Sequence, residues 1–287
     1  MSQSSQQYPQ NLDDFNRVTS ELRASADFRE PLVFAIGRRV FTRDGTLASV
    51  RYPVVNGPGK NLGTAAILIK VLGIIPEGVQ NVSLTRDQLT EAQKYFALFD
   101  GDGKRHDNIE AIKRAHSSSI LRRMETGDPL SSLVATFVFD DISPVGVEDS
   151  TLKLYCLSNR HFRPNTLNLT KIFTKLPNVA WHGDVPMDES SVDWAILDAA
   201  FENDALYAPH MVDKFPLYIH RINALKMGVR ITDQHKVRLG AYLGEGTTLM
   251  PGASYINFNA GTEGPSMVEG RISSSAFVGA GSDIGGG

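Results

Sequence analysis

The stretch Ile231-Thr-Asp-Gln-His-Lys-Val237-Arg-Leu-Gly-Ala-Tyr-Leu243-Gly-Glu-Gly-Thr-Thr-Leu249-Met-Pro-Gly-Ala-Ser-Tyr255 sets a large apolar residue at every sixth position. Six is neither the 3.6 of a helix nor the 2 of a plain strand. It suits a β-solenoid, in which each short strand sends one bulky side chain inward before the chain turns a corner. Gly240, Gly244, Gly246 and Gly252 fall between these positions, where a tight corner crowds a Cβ. The register resumes at Ile272, Val278 and Ile284, after an interval from Tyr255 that is one residue short of three hexads. That slip predicts a loop or bulge around Asn257–Glu269. A Gly-rich β-meander is the plain alternative, and the number of positions obeying one rule weighs against it. The sequence ends on Gly285-Gly286-Gly287 directly after Ile284, without a polar cap. Solenoid ends normally need one, so the expectation is a fragment whose full-length form adds further coils, a cap and part of any active site.

Outward from the repeat, the pattern changes. Residues 1–150 read as a mixed α/β domain: a helix near Leu12–Ala24, apolar runs at Leu32–Ile36 and Ala48–Val55, and a helix over Thr85–Phe99 with Thr85 as cap and Leu89, Ala92, Tyr95 and Phe96 on one face. A further helix is predicted over Asn108–Met124 and a strand over Ser132–Phe139. Residues 151–228 read as a middle α/β segment, with a strand at Leu152–Leu157, turns at Asn159–Asn168 and a helix at Val192–Glu202. Residues 229–287 are the solenoid.

Composition narrows the function classes. The 287 residues are 41% hydrophobic and 21% charged, enough to bury several cores. A formal charge of −3 gives no general attraction for nucleic acid or anionic lipid, so no nucleic-acid or membrane partner is expected. Cys156 is the single cysteine, and the polar start lacks a secretory pattern, which points to a cytoplasmic protein. The most apolar run, Thr64–Ile75, carries Lys70 and is too short for a bilayer, so a buried element is expected.

Four motifs then carry a resemblance. Val237-Arg-Leu-Gly-Ala-Tyr-Leu-Gly-Glu-Gly-Thr-Thr-Leu-Met250, Ile256-Asn-Phe-Asn-Ala-Gly-Thr-Glu-Gly264, Ser266-Met-Val-Glu-Gly-Arg-Ile-Ser273 and Gly281-Ser-Asp-Ile-Gly-Gly-Gly287 are similar to the core of the tetrahydrodipicolinate N-succinyltransferases, which belong to the hexapeptide-repeat acyltransferases. Weaker echoes lie at Leu154–Pro164, Leu176–Trp181, Val212–Pro216 and Gly228–Ile231, while residues 1 to about 150 carry no matching motif. The resemblance implies an α/β N-terminal region followed by a left-handed parallel β-helix, assembled as a homotrimer with small-molecule sites in grooves between subunits. It implies transfer of a succinyl group from succinyl-CoA to the amino group of ring-opened tetrahydrodipicolinate, in lysine and diaminopimelate biosynthesis.

The same resemblance assigns Glu269 as the catalytic carboxylate, acting as base or as nucleophile. Arg271 and Gly286 become contacts to succinyl-CoA, a guanidinium suiting its anionic groups and a glycine allowing close approach. A Glu beside an Arg is otherwise commonly a solvated corner pair. Asn257, Asn259 and Ser266 are substrate-binding candidates, although asparagines in solenoids also satisfy their own backbone. Some relatives carry acidic residues held to bind magnesium near the trimer axis. The corresponding positions here hold His235 and the Pro251-Gly-Ala-Ser254 insertion, so no metal site is expected.

Other signals are weaker. Asp100-Gly-Asp-Gly-Lys-Arg-His106 starts like a calcium loop, but Lys104 and Arg105 stand where a ligand and a glycine are needed. Gly57-Pro-Gly-Lys-Asn61 lacks the spacing of a phosphate loop. His210, His220 and His235 raise a zinc hydratase, of which only His235 lies in the hexad register. The alternatives to a succinyltransferase are another hexapeptide N- or O-acetyltransferase, typically dependent on a histidine, and a non-catalytic trimerising solenoid.

Overall fold

The computed structural model describes residues 8–202 and 209–286. The first helix, α1 (Leu12–Ala24), starts where Asn11 Oδ1 accepts from the Asp14 N–H. Strands β1 (Val33–Phe41) and β2 (Leu47–Asn56) pair antiparallel. The apolar run forms α2 (Leu62–Leu72), buried along Ala65–Ile69. After β3 (Val79–Ser83) comes α3 (Arg86–Phe96), closed by a reciprocal Thr85–Gln88 capping box and burying the predicted Leu89, Ala92, Tyr95 and Phe96. The single helix expected over Asn108–Met124 is two, α4 (Asp107–Ser117) and α5 (Ser119–Glu125). Ser118 takes ψ 151° and its Oγ accepts from the Leu121 N–H, so it caps a new helix instead of extending the old one. Strand β4 (Leu133–Val138) completes an antiparallel sheet of order β2-β1-β4-β3. Helices α2 to α5 cover one face of it, burying Phe34, Ile36 and Phe137.

The strand expected over Leu152–Leu157 is instead part of α6 (Val147–Ser158), which also runs through residue 150. Every residue from Asp149 to Ser158 is buried, so the sequence has no solvent face and therefore no helical period to read. The helix lies between Val33, Ala35 and Val50 of the sheet's second face and the solenoid residues Leu239, Ala241 and Leu243, in one continuous core. Asp149 opens it by accepting from the Val145 and Gly146 N–H groups at 3.0 and 2.8 Å.

A short α7 (Ile172–Lys175) leads to β5 (Val179–His182) and β6 (Val185–Met187). Helix α8 (Glu189–Glu202) includes the predicted Val192–Glu202, and β7 (Met211–Asp213) joins the two preceding strands in a sheet of order β6-β5-β7. Buried Trp181 holds this sheet by donating from Nε1 to the Asp213 carbonyl at 2.9 Å.

The solenoid comprises β8 (Arg230–Ile231), β9 (Tyr242–Leu243), β10 (Thr247–Leu249), β11 (Tyr255–Ile256), β12 (Gly261–Thr262), β13 (Ser266–Val268), β14 (Arg271–Ile272), β15 (Phe277–Val278) and β16 (Asp283–Ile284), all paired in parallel. One face stacks Ile231, Leu249, Val268 and Ile284. The second stacks Val237, Ile256 and Ile272, and the third Leu243, Thr262 and Val278. Measured on the first face, the coils hold 18, 19 and 16 residues.

Two corrections to the hexad reading follow. The inward residue is Ile256, fully buried, and not Tyr255, which is half-buried. The slip does not sit in Asn257–Val268, where the six-residue step is kept. It splits into one extra residue at the Met250–Tyr255 corner and two fewer at the Glu269-Gly270-Arg271 corner. The corner glycines act as expected: Gly246 has φ +77°, and a Cβ on Gly244 would lie 2.4 Å from the Glu263 carbonyl carbon.

Candidate active site

The shortened corner between β13 and β14 is where the resemblance puts the chemistry. Both N–H groups of Glu269 and Gly270 donate to the Ile284 carbonyl, at 2.8 and 3.0 Å, which fixes the corner against the coil above. Gly270 is required here, since a Cβ would lie 2.4 Å from the Gly285 carbonyl oxygen. The Glu269 side chain is exposed and has no hydrogen bond or ion pair with any described residue. Directly beside it, a Cβ on Gly286 would stand 3.8 Å from Glu269 Cβ and 3.7 Å from its carbonyl oxygen. The backbone next to the carboxylate thus carries no side chain at Gly285 and Gly286.

Arg271 leaves the corner on the neighbouring face. Its guanidinium lies 5.3 Å from the centroid of Tyr255, its partner in the parallel ladder. Asn257 follows on the same coil, accepting at Oδ1 from the Phe258 N–H at 2.9 Å and from Arg238 Nη1 at 3.3 Å. Arg238 also pairs with Asp213, Nε to Oδ2 at 2.9 Å, and stacks over Phe215. Burial pushes the Tyr255 phenol up, against the lowering charges of Arg238 and Arg271. The structure therefore brings Glu269, Arg271 and Gly286 to one corner, with Asn257 tied to the adjoining Tyr255, Arg238 and Asp213.

The remaining two candidates are placed differently. Asn259 accepts at Oδ1 from the Asn165 N–H at 2.8 Å, and its Nδ2 donates to Asn165 Oδ1 at 3.0 Å, so its amide fastens the preceding loop to the solenoid. Ser266 points into the solenoid interior and is 7% exposed, with no hydrogen-bond partner for its Oγ among the described residues. Tyr255, Arg238 and Asp213 were missed by sequence reasoning. Tyr255 had been absorbed into the hexad, and Asp213 lies far away in the chain. His210 and His235 do approach, with ring centroids 5.8 Å apart, while the side chain of His220 lies outside the described residues. Among the described residues no group of three or more His, Cys, Asp or Glu side chains is placed to hold a metal ion.

Comparison with known proteins adds the decisive observation. Residues 13–174 match the family model described as the N-terminal region of tetrahydrodipicolinate N-succinyltransferase. The chain belongs to the tetrahydrodipicolinate N-succinyltransferase family. It is 39% identical, over 97% of its own length and 70% of the relative's, to a 2,3,4,5-tetrahydropyridine-2,6-dicarboxylate N-succinyltransferase of Nitratiruptor sp.. A protein of the same name from Sulfurovum sp. is 38% identical over 96% of this chain and 70% of that one. Among solved structures, a putative 2,3,4,5-tetrahydropyridine-2-carboxylate N-succinyltransferase from Campylobacter jejuni superposes with a TM-score of 0.83 at 32% identity, covering 96% of this chain and 71% of that one. Family membership reaches into residues 1–150, where sequence reading found no motif.

Proposed function

We propose that the chain transfers the succinyl group of succinyl-CoA to the amino group of L-2-amino-6-oxopimelate, the ring-opened form of tetrahydrodipicolinate. The observation that carries this is the Glu269 corner, an exposed carboxylate set against the side-chain-free Gly286 strip within a chain of this family. A thioester laid along that strip would bring its carbonyl to Glu269, and Arg271 would meet an anionic group of the donor. Acting as base, Glu269 takes a proton from the substrate ammonium; the amine attacks, the C–S bond breaks, and CoA leaves as thiolate and is protonated. Acting as nucleophile, its oxygen displaces CoA to give an acyl anhydride, whose C–O bond the amine then breaks. Both routes yield one amide and one thiol.

We further propose that the working form is a cytoplasmic homotrimer with this corner facing a neighbouring subunit. Exposed Trp194, Leu197 and Phe201 on α8, with exposed Val212 nearby in sequence, support self-association. No described helix is long and apolar enough to cross a membrane. The test is thiol release from succinyl-CoA on adding the amino substrate. Amine-dependent release is expected. Equal release with acetyl-CoA would assign the chain to another acyl transfer, and no release with either donor would exclude the proposal.

A further inference from the structure

At the open edge of β2, under α4 and beside Arg221, lies a cavity of about 450 Å³, within the range of small-molecule sites. None of its lining residues belongs to the β-helix, so it is separate from the Glu269 corner. Arg38 on β1 and Arg51 on β2 face each other as cross-strand partners, an unfavourable pairing of like charges, and Arg221 lines the same cavity. One carboxylate answers these three guanidiniums: Asp184, 2.5 Å from Arg51 Nη2 through Oδ2 and 2.5 Å from Arg221 Nη1 through Oδ1.

Of the charges left over, Arg221 is buried, while Arg38 and Arg51 are half-buried, with only their Nε atoms closed off from solvent. The Arg38 side chain has neither a hydrogen bond nor an ion pair among the described residues. The Arg221 side chain is 1% exposed, and its Nε and Nη2 meet no acceptor there; nor does the buried Nε of Arg38 or of Arg51. Burial, helped by the facing Arg51 and Arg221, holds the Arg38 guanidinium below its ordinary value. The cavity's other arginines, Arg105 and Arg114, have their own carboxylates in Asp107 and Glu110. The surplus of two positive charges is therefore confined to Arg38, Arg51 and Arg221. Buried N–H groups without acceptors are costly, and planar guanidinium forks match carboxylate and phosphate oxygens.

We propose that this cavity binds a small organic dianion, its carboxylate or phosphate end on Arg38, Arg51 and Arg221 and its carbon skeleton against Ile36, Val54, Ile120 and Leu133. The test is isothermal titration of the folded chain at fixed ionic strength with pimelate in one arm and phenyl phosphate in the other. Saturable binding of one ligand per chain is expected, and the arm that shows it identifies the head group. Arg38→Gln should weaken that binding roughly 10- to 100-fold, as loss of one charge-assisted contact does. It should also raise Tm of the ligand-free protein by about 1–3 °C, because a half-buried, unpaired like charge facing Arg51 is removed. Arg38→Met, which keeps the stem's volume, should behave the same way. Thiol release in the absence of the anion should be unchanged by either variant. Absence of binding in both arms would overturn the proposal. So would binding that survives both variants, which is how a ligand held in the acyl-transfer groove would behave.

Discussion

Replacing Lys153 by methionine probes the burial of α6 most sharply. The Lys153 side chain is 1% exposed, and its ammonium donates to Asp141 Oδ1 at 2.7 Å, to the Ile142 carbonyl at 2.6 Å and to the Asn168 carbonyl at 2.9 Å. Methionine refills the stem's volume but leaves two carbonyls without their donor, at about 1–3 kcal/mol each. Asp141 is a third exposed and still accepts from the Asn168 N–H at 2.9 Å, so its charge can rehydrate and adds little. The net loss is roughly 2–6 kcal/mol, a range that spans the cost of breaking a buried charged contact. Urea titration should show it as a lower midpoint at unchanged slope. The double variant with Asp141→Asn should be less than additive, since the two side chains share one contact. A loss under about 0.5 kcal/mol is what an exposed surface lysine gives, and would show that Lys153 lies on an open face and that the buried-helix description of α6 is wrong.

Three further outcomes are expected. Arg271→Ala should raise KM for succinyl-CoA more than for the amino substrate, by the roughly 10- to 100-fold of one lost charged contact; equal changes in both would make it a structural partner of Tyr255. Burial pushes the Cys156 thiol up, so thiol reagents at pH 8 should label it only after urea unfolding, and rapid labelling of the native chain would contradict its place in the core. Burial holds the His161 imidazole, 3.1 Å from the Val55 carbonyl, below the 6.5 of an unfolded histidine. The unfolded chain then binds the extra proton first, so stability should fall as pH drops through 6.5 and level off below the folded value. His161→Gln should flatten that slope, and an unchanged slope would clear this residue of the effect.

What the sequence disclosed depended on whether a signal was contiguous. The hexad was legible because aliphatic side chains mark the interior at a fixed step, and the Glu269-Gly270-Arg271 corner because its motif is an unbroken string. Thr262 was invisible as an inward residue: it is fully buried at a solenoid position, yet polar, satisfied by a 2.6 Å contact between its Oγ1 and that of Thr247. The slip was mislocated because an insertion and a deletion nearly cancel over Leu249–Ile272, leaving a net change of one residue. Helix α6 was read as a strand because burial on all sides erases the polar face that periodicity needs. Arg38, Arg51 and Arg221 could not be grouped at all, since only folding brings β1, β2 and the turn at Arg221 to one cavity. Tyr255, Arg238 and Asp213 were separated for the same reason.

The most direct measurement is kcat for Glu269→Gln, followed as thiol release from succinyl-CoA with the amino substrate saturating. Glutamine keeps the size of the side chain and its ability to accept a hydrogen bond while removing both basicity and nucleophilicity. The corner is fixed by backbone bonds to the Ile284 carbonyl, so folding and succinyl-CoA binding should persist. A fall in kcat on the order of 10²-fold or more is predicted. A correctly folded Glu269→Gln protein that turns over at near the parent rate would contradict a catalytic carboxylate at this corner.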